Sequence, residues 1–279
     1  MKQEKVKIPA IGLGTWKIND ATLMEELLKN AYEDGYRLID TAASYSNEMI
    51  IGKAIQKLGI PREELLLSDK VWKTNYGYEE TIQACRKSLK KLKTDYLDIY
   101  LIHWPAAAAE YENWKEINAE TWRGMEELYK QGLVKMIGVS NFKPYQMEAL
   151  RDTAEIMPMI NQIELHPGMV QAETVGYCEE KHIAVEASSP LGNGRFLENE
   201  ILKKYAAVEG ITPAQMCLAY GHQKGITVLP KTTSAERLKE NIRALDIRLS
   251  GETMEKIEAL PYIGGLGLDS DEVFDYAKL

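Results

Sequence analysis

Asp40, Tyr45, Lys70 and His103 sit at or just past the ends of three successive apolar runs. The runs are Arg37-Leu38-Ile39-Asp40, Leu65-Leu66-Leu67-Ser68-Asp69-Lys70 and Leu97-Asp98-Ile99-Tyr100-Leu101-Ile102-His103. Ionisable groups that end apolar strands are costly to desolvate unless something pairs with them or uses them. A carboxylate, a lysine, a phenol and an imidazole brought to one point make a proton-transfer site. Asp40 is placed to pair with Lys70, which is unfavourable alone in such a setting. A cation beside Tyr45 favours phenolate and lowers the phenol pKa from its reference of about 10. Tyr45 is then poised to give a proton to an oxygen gaining negative charge, with His103 orienting that oxygen through a second hydrogen bond. A neutral carbonyl that receives a hydride develops such an oxyanion.

The elements that must position these residues are legible as alternating periodicities. Apolar stretches at Ile11–Leu13, Arg37–Asp40, Leu65–Val71, Leu97–His103, Val134–Val139, Met159–Leu165, Ile183–Ala187 and Ile226–Leu229 make eight strand candidates. Helical stripes lie between them: Met24, Leu27, Leu28 and Ala31; Ile82, Cys85, Leu89 and Leu92; Trp122, Met125 and Leu128; Ala235, Leu238, Ile242 and Leu245. Gly35, Gly59, Gly132 and Gly225 follow helical segments, where a left-handed residue ends a helix well. Strand–helix alternation repeated eight times calls for parallel pairing with right-handed crossovers.

An open doubly wound sheet is the rival arrangement, and it normally carries a Gly-x-Gly-x-x-Gly turn after its first strand. Gly12-Leu13-Gly14-Thr15-Trp16 supplies only the first part of that turn. Eight units in about 250 residues fit a closed (β/α)8 TIM barrel, with the site at the C-terminal ends of the strands. The expected organisation is one domain over residues 1–279, with a short C-terminal tail over the pocket. Along the fourth strand Leu97, Ile99, Leu101 and His103 should face the barrel interior, and Asp98 should face the helices as an ordinary hydrogen-bonded residue. By the same count Ser68 and Lys70 face together, with Asp69 opposite.

Bulk properties narrow the partners. The chain is 45% hydrophobic and 27% charged, the composition of a globular protein able to bury a full core. Its net charge of −8 argues against a nucleic-acid or anionic-membrane partner, so an anionic ligand needs a local basic pocket. No apolar run approaches the roughly 20 residues of a membrane span, and Met1–Lys5 leads into no signal-like block. Cys85, Cys178 and Cys217 have neither disulfide nor zinc spacing and read as half-buried thiols in a reduced, cytoplasmic protein. His166 and His182 read as structural, and no metal is expected. Ala106–Ala109 carries no side-chain chemistry and favours a short helix.

The local sequences resemble the aldo-keto reductase family, essentially from end to end. The resemblance rests on Asp40-Thr41-Ala42-Ala43-Ser44-Tyr45-Ser46-Asn47-Glu48, Leu101-Ile102-His103-Trp104-Pro105 and Gly138-Val139-Ser140-Asn141-Phe142. It rests equally on Asn161-Gln162-Ile163-Glu164-Leu165-His166-Pro167 and Leu229-Pro230-Lys231-Thr232. The bacterial branch that reduces small aldehydes, ketones and diketo sugar acids is the most similar. The resemblance implies a carbonyl-reducing barrel that uses a nicotinamide cofactor, with Tyr45 as general acid beside Asp40, Lys70 and His103. It places the nicotinamide amide against Ser140, Asn141 and Gln162, and an amide needs the donors and acceptors those residues carry. Taken alone, Ser140-Asn141 also reads as a cap for a helix over Lys143–Arg151.

Lys231, Thr232, Arg237, Glu240 and Asn241 match the family's adenosine-phosphate pocket. Two cations and a hydroxyl near a helix N-terminus suit the 2′-phosphate of NADP over NAD. Ser189, Leu191 and Asn193 are expected to meet the pyrophosphate, and Trp16, Trp72 and Trp104 to line the substrate pocket. The expected partner is a small carbonyl substrate, and the chain is expected to be a monomer.

Three features depart from the pattern. Ser188 stands where the family usually stacks an aromatic on the nicotinamide ring; serine either opens room over the ring or is an engineered replacement. Lys5–Ile8 leaves little room for the hairpin that usually caps the barrel bottom. Gly264-Gly265-Leu266-Gly267 suggests a mobile piece before the tail. Two other functions compete. A reductase of carbon–carbon double bonds on this barrel replaces the histidine with glutamate, which His103 opposes. A cofactor-binding sensor with little turnover is opposed by the full set of Asp40, Tyr45, Lys70 and His103.

Overall fold

Eight parallel strands form where the apolar runs stand and pair strictly in sequence order. They are Leu13–Gly14 (β1), Leu38–Asp40 (β2), Leu66–Val71 (β3), Leu97–Ile102 (β4), Val134–Ser140 (β5), Ile160–Glu164 (β6), Ala184–Ser188 (β7) and Thr227–Leu229 (β8). The sheet closes on itself. Gly12 N donates to Val228 O at 2.9 Å, Val228 N to Ala10 O at 3.0 Å, and Gly14 N to Pro230 O at 3.1 Å. The computed structural model describes residues 7–272, and within them the fold is a (β/α)8 TIM barrel.

The helices are Ala21–Glu33 (α1), Glu48–Leu58 (α2), Tyr78–Leu92 (α3), Trp114–Lys130 (α4), Pro144–Arg151 (α5) and Ala172–Glu180 (α6). They continue with Glu200–Glu209 (α7), Pro213–Gln223 (α8), Ala235–Arg243 (α9) and Gly251–Glu258 (α10). Two helices, α7 and α8, therefore separate β7 from β8, where strict alternation calls for one. Helix starts follow side-chain chemistry: Asp20 accepts from Leu23 N at 2.8 Å to begin α1, and Ser234 accepts from Arg237 N at 3.3 Å to begin α9. The latter cap sets Arg237 in the first turn of its helix. Gly59 ends α2 with φ 65°, and Gly35, Gly132 and Gly225 are also left-handed.

The side chains separate into two layers. Leu38, Ile99, Leu101, Met136, Ile160 and Leu229 fill the barrel interior. A larger cluster fills the space between strands and helices. Each stripe residue of α1 is fully buried, which stabilises the fold by about 1.5–3 kcal/mol for each of the larger side chains. In α9 and the turn after it, only Leu238 of the expected stripe is fully buried, because that helix turns Asn241 inward as well. Leu97, at the start of β4, joins the outer cluster instead of the interior one. Asp98 faces outward as expected, held by Arg62 at 2.7 Å and Lys135 at 3.0 Å. Asp69 also faces outward, where burial and the charge of Glu48 push its carboxyl up to about 7. The three thiols are fully buried, not half-buried. Ala106–Ala109 forms no helix, since the Asn118 side chain holds Ala106 by both its N–H (2.8 Å) and its carbonyl (3.1 Å).

The glycine-rich piece after α10 is tied down, contrary to the expectation of mobility. Leu266 N and Gly267 N donate to the two oxygens of Glu164 at 2.6 and 2.9 Å, and Arg195 donates to Gly265 O at 2.8 Å. A Cβ on Gly265 would stand 2.5 Å from the His166 ring, which explains the glycine. His166 itself is buried, with Nε2 3.2 Å from Glu164. Farther on, Lys143 pairs with Asp269 at 2.5 Å and Asp271 at 2.6 Å. Of the N-terminal segment expected to be short, Lys5 and Val6 lie outside the described residues, as does the tail beyond 272; Ile8 packs on the interior cluster.

Candidate active site

The ends of β2, β3 and β4 bring three of the four ionisable side chains together, and the turn Ala43–Tyr45 after β2 adds the fourth. Lys70 is completely buried, so its ammonium must be satisfied within the protein. Its Nζ lies 2.7 and 2.8 Å from the two oxygens of Asp40 and donates to Thr41 O at 2.9 Å. Asp40 Oδ1 also accepts from Ser68 Oγ at 3.2 Å and Gln162 Nε2 at 3.0 Å. Lys70 Nζ is 5.3 Å from the centre of the Tyr45 ring. His103 meets that ring edge-on at 5.6 Å and the Trp72 ring at 5.1 Å.

The electrostatics correct one expectation. Burial raises the Tyr45 pKa above its ordinary value, outweighing the pull of Lys70, and the Asp40 charge adds to the rise. Lys70 is thus a cation whose charge is largely spent on its own carboxylate. The phenol stays protonated in the resting site. His103 is held neutral, its pKa driven well below the usual value by burial and then by the Lys70 charge. Its Nδ1 lies 3.4 Å from Ser44 Oγ.

These groups form the floor of a cavity of about 1310 Å³. Every residue expected from the sequence to be catalytic, to hold the cofactor or to line the substrate pocket borders that cavity except Lys70, which is buried beneath it. On the wall made by β5 and β6, Ser140 Oγ donates to Gln162 O at 2.8 Å, and Asn141 Nδ2 donates to His103 O at 2.9 Å and to Ser140 Oγ at 3.1 Å. Asn141 sits at φ 61°. Neither residue caps α5: the N-cap is Lys143, whose N–H donates to Gln146 Oε1 at 2.9 Å. Ser188, Ser189 and Leu191 border the same space from β7 onward. Beyond β8, Lys231 and Arg237 are exposed, and their head groups pair with no acid among the described residues. Thr232 is buried and accepts from Ser234 N at 3.1 Å, while Glu240 accepts from Thr212 Oγ1 at 2.7 Å. Trp16, Trp72 and Trp104 all line the cavity, with Leu266 and Leu268 from the tail beside them.

The model of the aldo/keto reductase family matches residues 10–261. The chain is 42% identical to the glyoxal reductase of Bacillus subtilis, over 96% of this chain and 94% of that relative. It is 38% identical to the methylglyoxal reductase DkgA of Escherichia coli, over 95% of this chain and 94% of that one. The crystal structure of MGS-M4, an aldo-keto reductase enzyme from a Medee basin deep-sea metagenome library, superposes with a TM-score of 0.87 at 35% identity, covering 96% of this chain and 97% of that chain. The chain belongs to the aldo/keto reductase family.

As a member it is an oxidoreductase. Several residues of this aldo/keto reductase site escape a reading of the sequence. Glu186 reaches Gln162 Nε2 at 2.8 Å from the next strand. The available signal was an acid between Val185 and Ala187, in phase with Ser188 on the interior face of a strand. Glu164 and Arg195, which hold the tail against the cavity rim, carry no sequence signal, because their partners are backbone groups about 70 to 100 residues away.

Proposed function

We propose that this protein uses NADPH to reduce small aldehydes or ketones, keto sugars and 2-oxoaldehydes among them, with Tyr45 as general acid. One observation carries the reading: a single cavity, with the buried Lys70–Asp40 pair at its floor, joins Tyr45 and neutral His103 to Lys231 and Arg237, cations that pair with no acid among the described residues. The names of the relatives, glyoxal and methylglyoxal reductase, make 2-oxoaldehydes the first substrates to try.

The donor set fits the cofactor. Lys231 and Arg237 offer charge-assisted hydrogen bonds to a phosphate beside the N-terminus of α9, against a net protein charge of −8. With their N–H groups already engaged, Gln162 and Asn141 keep their side-chain oxygens as acceptors for a carboxamide. When bound, NADPH supplies a hydride to the carbonyl carbon.

The chain's own residues do the rest. His103 offers a neutral hydrogen bond to the carbonyl oxygen and does not compete for its proton. Tyr45 Oη releases its proton to that oxygen as negative charge develops, completing the alcohol. Lys70 stabilises the phenolate left behind, and Asp40 keeps the lysine charged and in place. Trp16, Trp72 and Trp104 give the substrate an apolar wall in the same cavity.

Two substitutions test the cofactor seat. Arg237→Ala should raise the KM for NADPH about ten- to hundredfold while changing that for NADH little; equal effects on both would sink the phosphate assignment. Ser188→Trp should tighten NADPH binding roughly two- to tenfold by restoring a stacking surface. An unchanged dissociation constant, measured by fluorescence titration, refutes the stacking argument. The function itself is tested by following NADPH absorbance on adding methylglyoxal and then a panel of aldehydes, ketones and keto acids. Binding without oxidation across the panel overturns it.

A further inference from the structure

Glu186 is a carboxylate inside the barrel that the reaction above leaves unused. Its neighbours Val185 and Ala187 pack outward into the helix layer, so Glu186 points inward with Ser188. It is fully buried. Oε2 accepts from Gln162 Nε2 at 2.8 Å, while Oε1 has no partner among the described residues. The same Gln162 nitrogen donates to Asp40 Oδ1 at 3.0 Å. An amide nitrogen has two protons, and here each is taken by a different carboxylate.

Ionised carboxylates only accept, so a flipped Gln162 would set its oxygen against two negative groups. The amide oxygen is therefore forced to the other side. Asp40 alone holds the amide weakly, since Lys70 and Ser68 already donate to its oxygens. We propose that Glu186 is a positioning residue: through Gln162 it keeps the amide oxygen turned to receive the carboxamide N–H of the nicotinamide. This rests on the nicotinamide-cofactor reading above.

The arrangement is sensitive to protonation. Asp40 from β2, Lys70 from β3 and Gln162 from β6 face Glu186, and Thr227, its register partner on β8, turns its hydroxyl to Pro9 O at 2.9 Å. Burial, and then the charge of Asp40, push the Glu186 carboxyl up to about 7. Above that value the carboxylate enforces one amide orientation. Below it, the neutral acid can donate to a flipped amide oxygen, and the lock is released.

The test is calorimetric titration of wild type and Glu186→Gln with NADPH and with adenosine 2′,5′-bisphosphate, about one pH unit either side of neutrality. The bisphosphate lacks the carboxamide and carries the same 2′-phosphate titration, so it isolates the Gln162 end. Glu186→Gln should weaken NADPH roughly two- to tenfold on the alkaline side, with no difference on the acid side. The bisphosphate should bind both proteins equally, and Glu186→Asp, which keeps the charge, should retain the wild-type pH step. Unchanged NADPH binding, or an equal loss for both ligands, overturns the positioning role alone. Wild-type protein that fails to bind NADPH overturns the cofactor reading, and this inference with it.

Discussion

Tyr45→Phe lowers kcat for methylglyoxal reduction by roughly 10²- to 10⁴-fold while leaving the NADPH dissociation constant unchanged. The substitution removes only the phenolic oxygen, so the edge-on contact with His103 and the cavity wall survive. The expected size is that of losing a positioned proton donor when the hydride step has nothing else to neutralise the oxyanion. The direction of the Tyr45 pKa adds a second expectation for the wild type. A phenol raised above its ordinary value of 10.0 remains protonated through the neutral and mildly alkaline range. Its ionisation therefore sets no fall in the reduction rate until the pH passes that value. A Tyr45→Phe protein that retains most of its activity would show that the proton comes from elsewhere.

Lys70→Met destabilises the fold by about 3–5 kcal/mol, because it leaves Asp40 buried without its counter-charge. Both partners are buried and lie 2.7 Å apart, so methionine leaves the Asp40 charge with only the neutral donors Ser68 and Gln162. Urea denaturation at mildly alkaline pH measures the loss. It should shrink as the solution is acidified: a buried carboxylate deprived of its cation has a raised folded-state pKa, so its penalty appears as pH rises and fades as the group takes a proton. Asp40→Asn added to Lys70→Met should recover most of the stability and none of the activity. A single variant as stable as wild type would mean that Ser68 and Gln162 suffice to hold the Asp40 charge.

The same pair shows how far residue types carry an argument. That Asp40 and Lys70 meet follows from strand phase: both lie at strand ends, on interior-facing positions of neighbouring parallel strands. Their effect on Tyr45 does not follow from phase. It depends on how completely Asp40 absorbs the lysine charge and on how much water reaches the phenol, and both are distances in three dimensions. The tail gives a similar lesson. Glycines at 264, 265 and 267 read as looseness, yet Gly265 is needed for the chain to pass the His166 ring, and the neighbouring N–H groups bind Glu164.

Strand positions, most of the helix stripes and the barrel class were determined by the sequence alone, as was the convergence of Asp40, Tyr45, Lys70 and His103 on one cavity, because periodicity and local motifs are set by near neighbours in the chain. Charge balance, the orientation of Gln162 between Asp40 and Glu186, and the anchoring of the tail were decided only by the tertiary structure. Each of these depends on groups from distant strands being desolvated together, and the energy of a buried charge is set by what surrounds it, not by what precedes it.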